Sequence, residues 1–229
     1  MLVHLATLAA IPDHGPWALA LVAPVRRAKA LALKRPRDRQ RSLLAGLMLR
    51  EVLGVSRDED LEYGPQGRPS LAGGGPSFSL SHSGPYVALS VGRPVHGLDL
   101  QETRTRPVPD SLARWALAPE ELAEFGKNPD PGLFTRIWTM KEAFVKATGL
   151  GLSQGLDSFS VLPWGPGPRV VAGTEVHFFL MDLPGAAVSL ASMAPCHPPL
   201  AVDLAQRLSR LAMGSPGREA IGSQMGDAI

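Results

Sequence analysis

Trp138-Thr139-Met140-Lys141-Glu142-Ala143-Phe144-Val145-Lys146 holds both a helix and a chemistry in a single run. Leu133, Ile137, Met140 and Phe144 recur at helical spacing, so they line one apolar face of a helix that ends near Gly149. Trp138, Glu142 and Lys146 stand four apart and form a second stripe, pointing away from that seam. A Glu-to-Lys pair at this spacing is ordinarily a surface pair worth about 0.2–0.5 kcal/mol. Trp138 argues for more, because an indole is costly to leave exposed and implies a covered cleft or interface there. A carboxylate and an ammonium on one stripe suit phosphoryl transfer, which needs an oxygen ligand for a metal and a cation for phosphate charge.

Working outward, Leu43, Leu44, Leu47, Met48 and Val52 predict an earlier helix over Asp38 to Leu53, with Gly54 as its C-terminal cap. The first residues, apolar with Pro and Gly breaks, suit a strand and loops. Gly64 to Pro76 reads as loop. Strands are expected at about 77–81, 86–92 and 95–100, joined by tight turns into an antiparallel meander. After a Pro-rich connector, Thr103 to Pro109, the order recurs: the second helix, then strands at about 157–162, 175–182, 187–193 and 199–204. The expected class is α+β, with two similar halves, each a helix packed on an antiparallel sheet. The halves would be related by a pseudo-twofold, with the site in the cleft between them. They would span residues 1–102 and 103–211, followed by a flexible tail over 212–229, rich in Gly, Ser and Ala. Gly97-Leu98-Asp99-Leu100 and Ala201-Val202-Asp203-Leu204 are faintly alike at matching places.

Composition narrows the classes. With 229 residues, 45% apolar and 19% charged, the chain can bury a substantial core. A net charge of +2 argues against a general nucleic-acid binder. Eight of the 23 Lys and Arg nevertheless fall between Arg26 and Arg41, a stretch that reads first as solvated surface and second as an anion site. One cysteine, Cys196, excludes an internal disulfide framework and fits a reducing compartment. Its neighbours Pro195, His197, Pro198 and Pro199 suggest a turn, and with it a bystander thiol. Asp13 and His14 interrupt any signal-peptide pattern, and no apolar run reaches the ~18 residues that span a bilayer. A cytoplasmic protein without a membrane partner is expected.

Two further segments carry polar chemistry. Asp99 sits at the end of an apolar strand, where a carboxylate can hold a hard cation such as Mg2+ or simply cap a turn. Ser81-His82-Ser83 lies at a strand-to-turn corner, and its His could act as a base, donate to a phosphate or satisfy the turn. There is no Gly-x-Ser-x-Gly elbow, no Gly-x-x-x-x-Gly-Lys-Ser/Thr loop and no metalloprotease helix.

Taken together, the order of Phe78 to Ser83, Gly97 to Gln101 and the string Trp138-x-x-Lys141-Glu142-Ala143-Phe144-x-Lys146-x-x-Gly149-x-Gly151-Leu152 resembles the 4′-phosphopantetheinyl transferase superfamily in its Sfp-like branch. The resemblance covers roughly residues 20–155. It implies transfer of phosphopantetheine from coenzyme A to a serine of an apo acyl or peptidyl carrier protein, with Mg2+, releasing 3′,5′-ADP. It also implies roles. Asp99 and Glu142 match the metal ligands, and Lys146 matches a lysine at the phosphates. Glu142 would also help take the serine proton. Ser81 and His82 match positions touching coenzyme A, with His82 on its 3′-phosphate. Arg68 matches a basic residue near the adenine nucleotide, and Arg26, Lys29 and Ser42 align with positions at the 3′-phosphate. A chain of two halves would complete its own cleft as a monomer.

One departure stands out. Many members carry Asp-x-Glu where this chain has Asp99-Leu100-Gln101, with Glu102 one position late. In an extended strand that step turns the side chain to the other face. Gln101 could still offer its amide oxygen to the metal, or a water could fill the place. Glu102 could replace it only if the strand bulges or ends. Two other readings remain beside the transferase: a non-catalytic coenzyme A-binding regulatory domain, and a metal-dependent phosphatase.

Overall fold

The computed structural model describes residues 1–11, 16–149, 151 and 155–213. Asp13, His14, Leu152 and the expected tail beyond Met213 lie outside the described residues. Strand β1 (Leu2–Thr7) leads to helices α1 (Pro16–Leu21), α2 (Pro24–Ala32) and α3 (Pro36–Leu53). A short hairpin, β2 (Leu61–Tyr63) with β3 (Pro69–Leu71), precedes β4 (Ser77–Ser83), β5 (Tyr86–Gly92) and β6 (His96–Glu102). Helices α4 (Asp110–Ala116), α5 (Pro119–Phe125) and α6 (Pro131–Thr148) follow. Strands β7 (Gly167–Val171), β8 (Thr174–Leu183), β9 (Ala186–Ser192) and β10 (Leu200–Asp203) and helix α7 (Ala205–Met213) complete the described chain. The class is mixed α+β.

Both long helices form where periodicity and caps place them. Helix α3 starts with Pro36 and stops at Gly54, whose φ of 73° only glycine adopts freely. Helix α6 starts at Asp130, whose carboxylate accepts from the Leu133 amide, and stops at Gly149 with φ 71°. Each buries its apolar face. Leu43, Leu44, Leu47 and Met48 enter one core with Phe78, Val87 and Leu89. Phe134, Ile137, Met140 and Phe144 enter another with Val176, Phe178 and Ala191.

Two four-stranded sheets divide the strands, in the orders β10-β1-β5-β4 and β6-β9-β8-β7. The expected meander is therefore correct for β4 and β5, which pair antiparallel from Ser77↔Gly92 to Ser83↔Tyr86, and wrong for β6. The backbone partner of β6 is β9, from His96↔Ser192 to Glu102↔Ala186. Chain adjacency made it look like a third meander strand, but helix α6 and strand β9 hold it in the second sheet. Likewise β10, from late in the chain, pairs parallel with β1 in the first sheet.

The strand expected at 157–162 is absent. A 3-10 turn, Leu156–Ser158, stands there instead, followed by irregular chain. Phe159 and Val161 are buried, which produced the strand-like alternation. Their backbone is held by an ion pair rather than by a neighbouring strand. Glu121 accepts from the Val161 amide at 2.7 Å, and Lys141 donates to the carbonyls of Leu156 and Phe159. The sheet ends instead on β7, whose Pro168 is tolerated on an edge strand.

Candidate active site

Strand β6 is the outer strand of its sheet, so one row of its amides lacks a neighbouring strand. Strand β4 supplies acceptors through side chains. The hydroxyls of Ser79, Ser81 and Ser83 accept from the amides of Leu98, Leu100 and Glu102 at 2.9, 3.2 and 3.0 Å. Side chains alternate along β6. Leu98 and Leu100 face an apolar cluster with Val3, Ala88, Val188 and Leu190, which leaves Gly97, Asp99 and Gln101 on the opposite face.

Gly97 explains how close that opposite face comes to α6. A Cβ there would stand 2.1 Å from the Ala143 carbonyl oxygen and 2.4 Å from the Ala147 amide. Only glycine lets α6 lie on β6 at this distance, and the contact sets Glu142 and Lys146 beside Asp99. Asp99 is 2% exposed. Its Oδ1 accepts from Lys146 Nζ at 2.7 Å and from Ser81 Oγ at 2.8 Å, and its Oδ2 accepts from Gln101 Nε2 at 3.2 Å. Lys146 also donates to the Ser81 hydroxyl and the Leu98 carbonyl, both at 3.1 Å. Burial, and then the negative charge of Asp99, push the Glu142 carboxyl above its ordinary pKa, while Lys146 pulls it back.

Glu142 and Lys146 open on a cavity of about 390 Å³ whose other walls include Arg68, Pro69, Phe78 and Leu80. The Arg68 guanidinium is tied down at this wall, donating to the carbonyls of Ala147 and His96 and to the Ser77 hydroxyl. His82 alternates to the β4 face of Phe78 and Leu80, opposite the serines. Its ring reaches solvent, yet surrounding atoms strip part of its hydration. That loss, ahead of the charges of Arg41, Lys146 and Arg26, lowers its pKa. The three cations are thus near enough for their charges to act on the His82 ring.

Other predicted residues sit further out. Arg26 and Lys29 line a hollow of about 50 Å³ with Arg57, Asp58 and Tyr63. Arg26 packs along Gly46, where a Cβ would come within 2.9 Å of its side chain. Ser42 is buried on α3. Trp138 does not face an open cleft: it is covered by Trp115, at 5.4 Å between ring centroids, and by Phe134. Trp115 takes the exposure instead, at 51%. Lys141, though next to Glu142, points the other way. It is fully buried against Glu121 at 2.6 Å and holds the loop after α6.

The oxygen donors at Asp99 are its own carboxylate and that of Glu142; Gln101 turns its amide nitrogen to Asp99 and its oxygen to Ser83, so it would have to turn over to serve a cation. Two carboxylates fit a hard divalent cation, and a cation near Asp99 and Glu142 would relieve the repulsion that adds to burial in raising the Glu142 pKa. Among the described residues no group of three or more His, Cys, Asp and Glu is gathered for a metal, so such an ion would draw on Gln101, water or substrate. Glu102 is no substitute here. Strand β6 keeps regular register through Glu102↔Ala186, and Glu102 packs over Gly84. Ser79, Ser83 and Gly97 stand inside the quoted segments, but their roles between β4, β6 and α6 were not foreseen, and Glu121 was not singled out. The Ser-x-Ser-x-Ser alternation and a glycine inside a strand were the available signals.

A family profile described as 4′-phosphopantetheinyl transferase superfamily matches residues 96–184. A relative from Synechocystis sp. is 37% identical over 155 residues, covering 62% of this chain and 63% of that relative. The 4′-phosphopantetheinyl transferase Sfp of Bacillus subtilis is 30% identical over 156 residues, covering 62% of this chain and 67% of its own length. The 4′-phosphopantetheinyl transferase AcpT of Salmonella typhimurium is 38% identical over 130 residues, 55% of this chain and 67% of AcpT. The matched segments thus span about two thirds of these relatives, and the family profile falls on the strand of Asp99 and the helix of Glu142 and Lys146: the chain belongs to the 4′-phosphopantetheinyl transferase superfamily, in its Sfp-like branch.

Proposed function

We propose that this chain transfers the 4′-phosphopantetheine group of coenzyme A to a serine hydroxyl of an apo acyl or peptidyl carrier protein, releasing 3′,5′-ADP. The observation that carries the reading is the convergence of Asp99, Glu142 and Lys146 beside one cavity, in a chain of this family. Bound Mg2+, held by Asp99 and Glu142 with Gln101 or water in the remaining place, would offset the charge of the pyrophosphate. The serine oxygen bonds to the phosphorus that carries the pantetheine arm, the pyrophosphate bridge breaks, and the bridging oxygen leaves with 3′,5′-ADP. Glu142 takes the serine proton, directly or through water. Lys146 stabilises the charge that moves onto the leaving group.

In this reading His82, Arg26, Lys29 and Ser42 serve the 3′-phosphate of coenzyme A, and Arg68 frames the adenine nucleotide. The charges of Arg41, Lys146 and Arg26 that act on His82 support this, since coenzyme A is polyanionic. Two related halves flanking the cleft are part of the same reading, supported by α3 on the first sheet and α6 on the second. Residues 1–102 and 103–211 would then be halves that exchange β6 and β10. Mass spectrometry of an apo carrier panel incubated with the protein, coenzyme A and Mg2+ tests the function. A carrier adduct with equimolar 3′,5′-ADP is expected. Phosphate release without any adduct would turn the reading to a phosphatase, and coenzyme A binding without turnover to a regulatory domain.

A further inference from the structure

We propose that Ser81 is a positioning residue: its hydroxyl sets the Asp99 carboxylate and the Lys146 ammonium in place. The inference rests on the transferase reading for its kinetic arm only. A serine hydroxyl has one proton to give and two lone pairs to accept with. Ser81 Oγ gives its proton to Asp99 Oδ1 at 2.8 Å and accepts from the Leu100 amide at 3.2 Å and Lys146 Nζ at 3.1 Å. These three bonds tie the carboxylate and the ammonium to one hydroxyl of β4, and that serine is only 7% exposed.

The arrangement repeats along the strand. Ser83 accepts from the Glu102 amide and donates to Gln101 Oε1 at 3.4 Å, as Ser81 accepts from the Leu100 amide and donates to Asp99. A backbone carbonyl in the same place could satisfy the β6 amides but could not donate onward. Hydroxyls do both, so the joint that closes the open edge of β6 also orients the polar side chains on its face. Ser79 is the internal comparison. It accepts from the Leu98 amide at 2.9 Å, like its neighbours, but Leu98 and the adjacent Gly97 offer no polar side chain to orient.

The test compares Ser81→Ala, Ser81→Cys, Ser81→Thr and Ser79→Ala. Three readouts are taken: thermal unfolding, Mn2+ binding by electron paramagnetic resonance, and steady-state transfer. Ser81→Ala and Ser81→Cys should weaken Mn2+ binding about 10–100-fold, the usual result of losing a partner that orients a ligand. They should cut kcat about a hundredfold with KM for coenzyme A little changed, as a misplacement near 1 Å does. Ser81→Thr keeps the hydroxyl and should recover most of both. Ser79→Ala should lower Tm by a similar amount without the loss of Mn2+ affinity. Unchanged Mn2+ affinity with a raised KM for coenzyme A in Ser81→Ala and Ser81→Cys would overturn the proposal and make Ser81 a ligand contact. Equal Mn2+ losses in Ser79→Ala would also overturn it, leaving a general structural seam. If the parent protein transfers nothing, the transferase reading fails while the Mn2+ comparison still decides the role of Ser81.

Discussion

Lys146 can serve a phosphate only by giving up what it now holds. An ammonium has three protons, and here they go to the Ser81 hydroxyl, the Leu98 carbonyl and Asp99 Oδ1. With its side chain 31% exposed, it remains reachable from the cavity, unlike the 2%-exposed carboxylate it pairs with. Lys146→Met keeps most of the apolar stem and removes the charge. Turnover should fall steeply, on the order of a hundredfold or more, because the ammonium acts where charge develops. Half-saturation by coenzyme A should change much less, and Lys146→Arg should recover only part, since a planar guanidinium places its charge differently. The same loss takes a competing cation off Asp99, so Mn2+ should bind at least as tightly. Single-turnover kinetics with saturating carrier, beside an Mn2+ titration, checks both; an unchanged rate in Lys146→Met would leave Lys146 a structural partner of Asp99 and nothing more. Gln101→Glu belongs at this scale too. Gln101 lies against Asp99, so a carboxylate there should lower the Mg2+ concentration giving half-maximal transfer. A requirement that stays the same or rises would remove Gln101 from the metal shell.

At the scale of elements, α6 on β6 decides whether there is a site at all. Glu142 and Lys146 were legible because helical periodicity fixes a stripe from local spacing alone. Their meeting with Asp99 was implied by the family resemblance and not by spacing, because it depends on the distance between two elements, and that distance is set by the missing side chain at Gly97. Gly97→Ala should therefore act as an overpacking change, destabilising by about 1–3 kcal/mol in urea unfolding. It should also lower transfer by more than the folded fraction explains, because α6 must back away from β6. Wild-type transfer by the folded protein would mean that the helix tolerates the displacement. The partners of Lys141 and Trp138 were hidden for a related reason. Glu121 and Trp115 come from α5 and α4, and nothing in the spacing around residue 138 or 141 announces a partner from another helix. The strand misread at 157–162 follows from the same hidden pair, since a buried ion pair can hold alternating chain without any sheet.

At the scale of the whole molecule, the last described segment closes the first core. Strand β10 lies parallel to β1 from Leu2↔Leu200 to Leu5↔Asp203, a long-range pairing that no local pattern announces. The faint likeness of Ala201-Val202-Asp203-Leu204 to the Asp99 strand carries no shared chemistry. Asp203 is exposed and its carboxylate accepts from the Ala205 amide at the start of α7. What α7 and the residue before it contribute is apolar. Leu204 and Leu208 are fully buried in the core that holds Trp17, Leu43, Leu47 and Phe78. Its visible ion pair, Arg207 with Glu51 of α3, is half-exposed on the arginine side and should be worth about 0–1 kcal/mol. Leu208→Ala should then cost about 2–5 kcal/mol, while Arg207→Ala stays near the parent. The cost should appear as one cooperative urea transition shifted to lower midpoint, because the residue lies in the same core as α3. Followed by tryptophan fluorescence, to which Trp17 in this core contributes, and by far-ultraviolet circular dichroism, the two signals should move together. A Leu208→Ala midpoint close to that of the parent, or a separate early transition by circular dichroism alone, would mean that α7 is an appendage to the first core and not part of it.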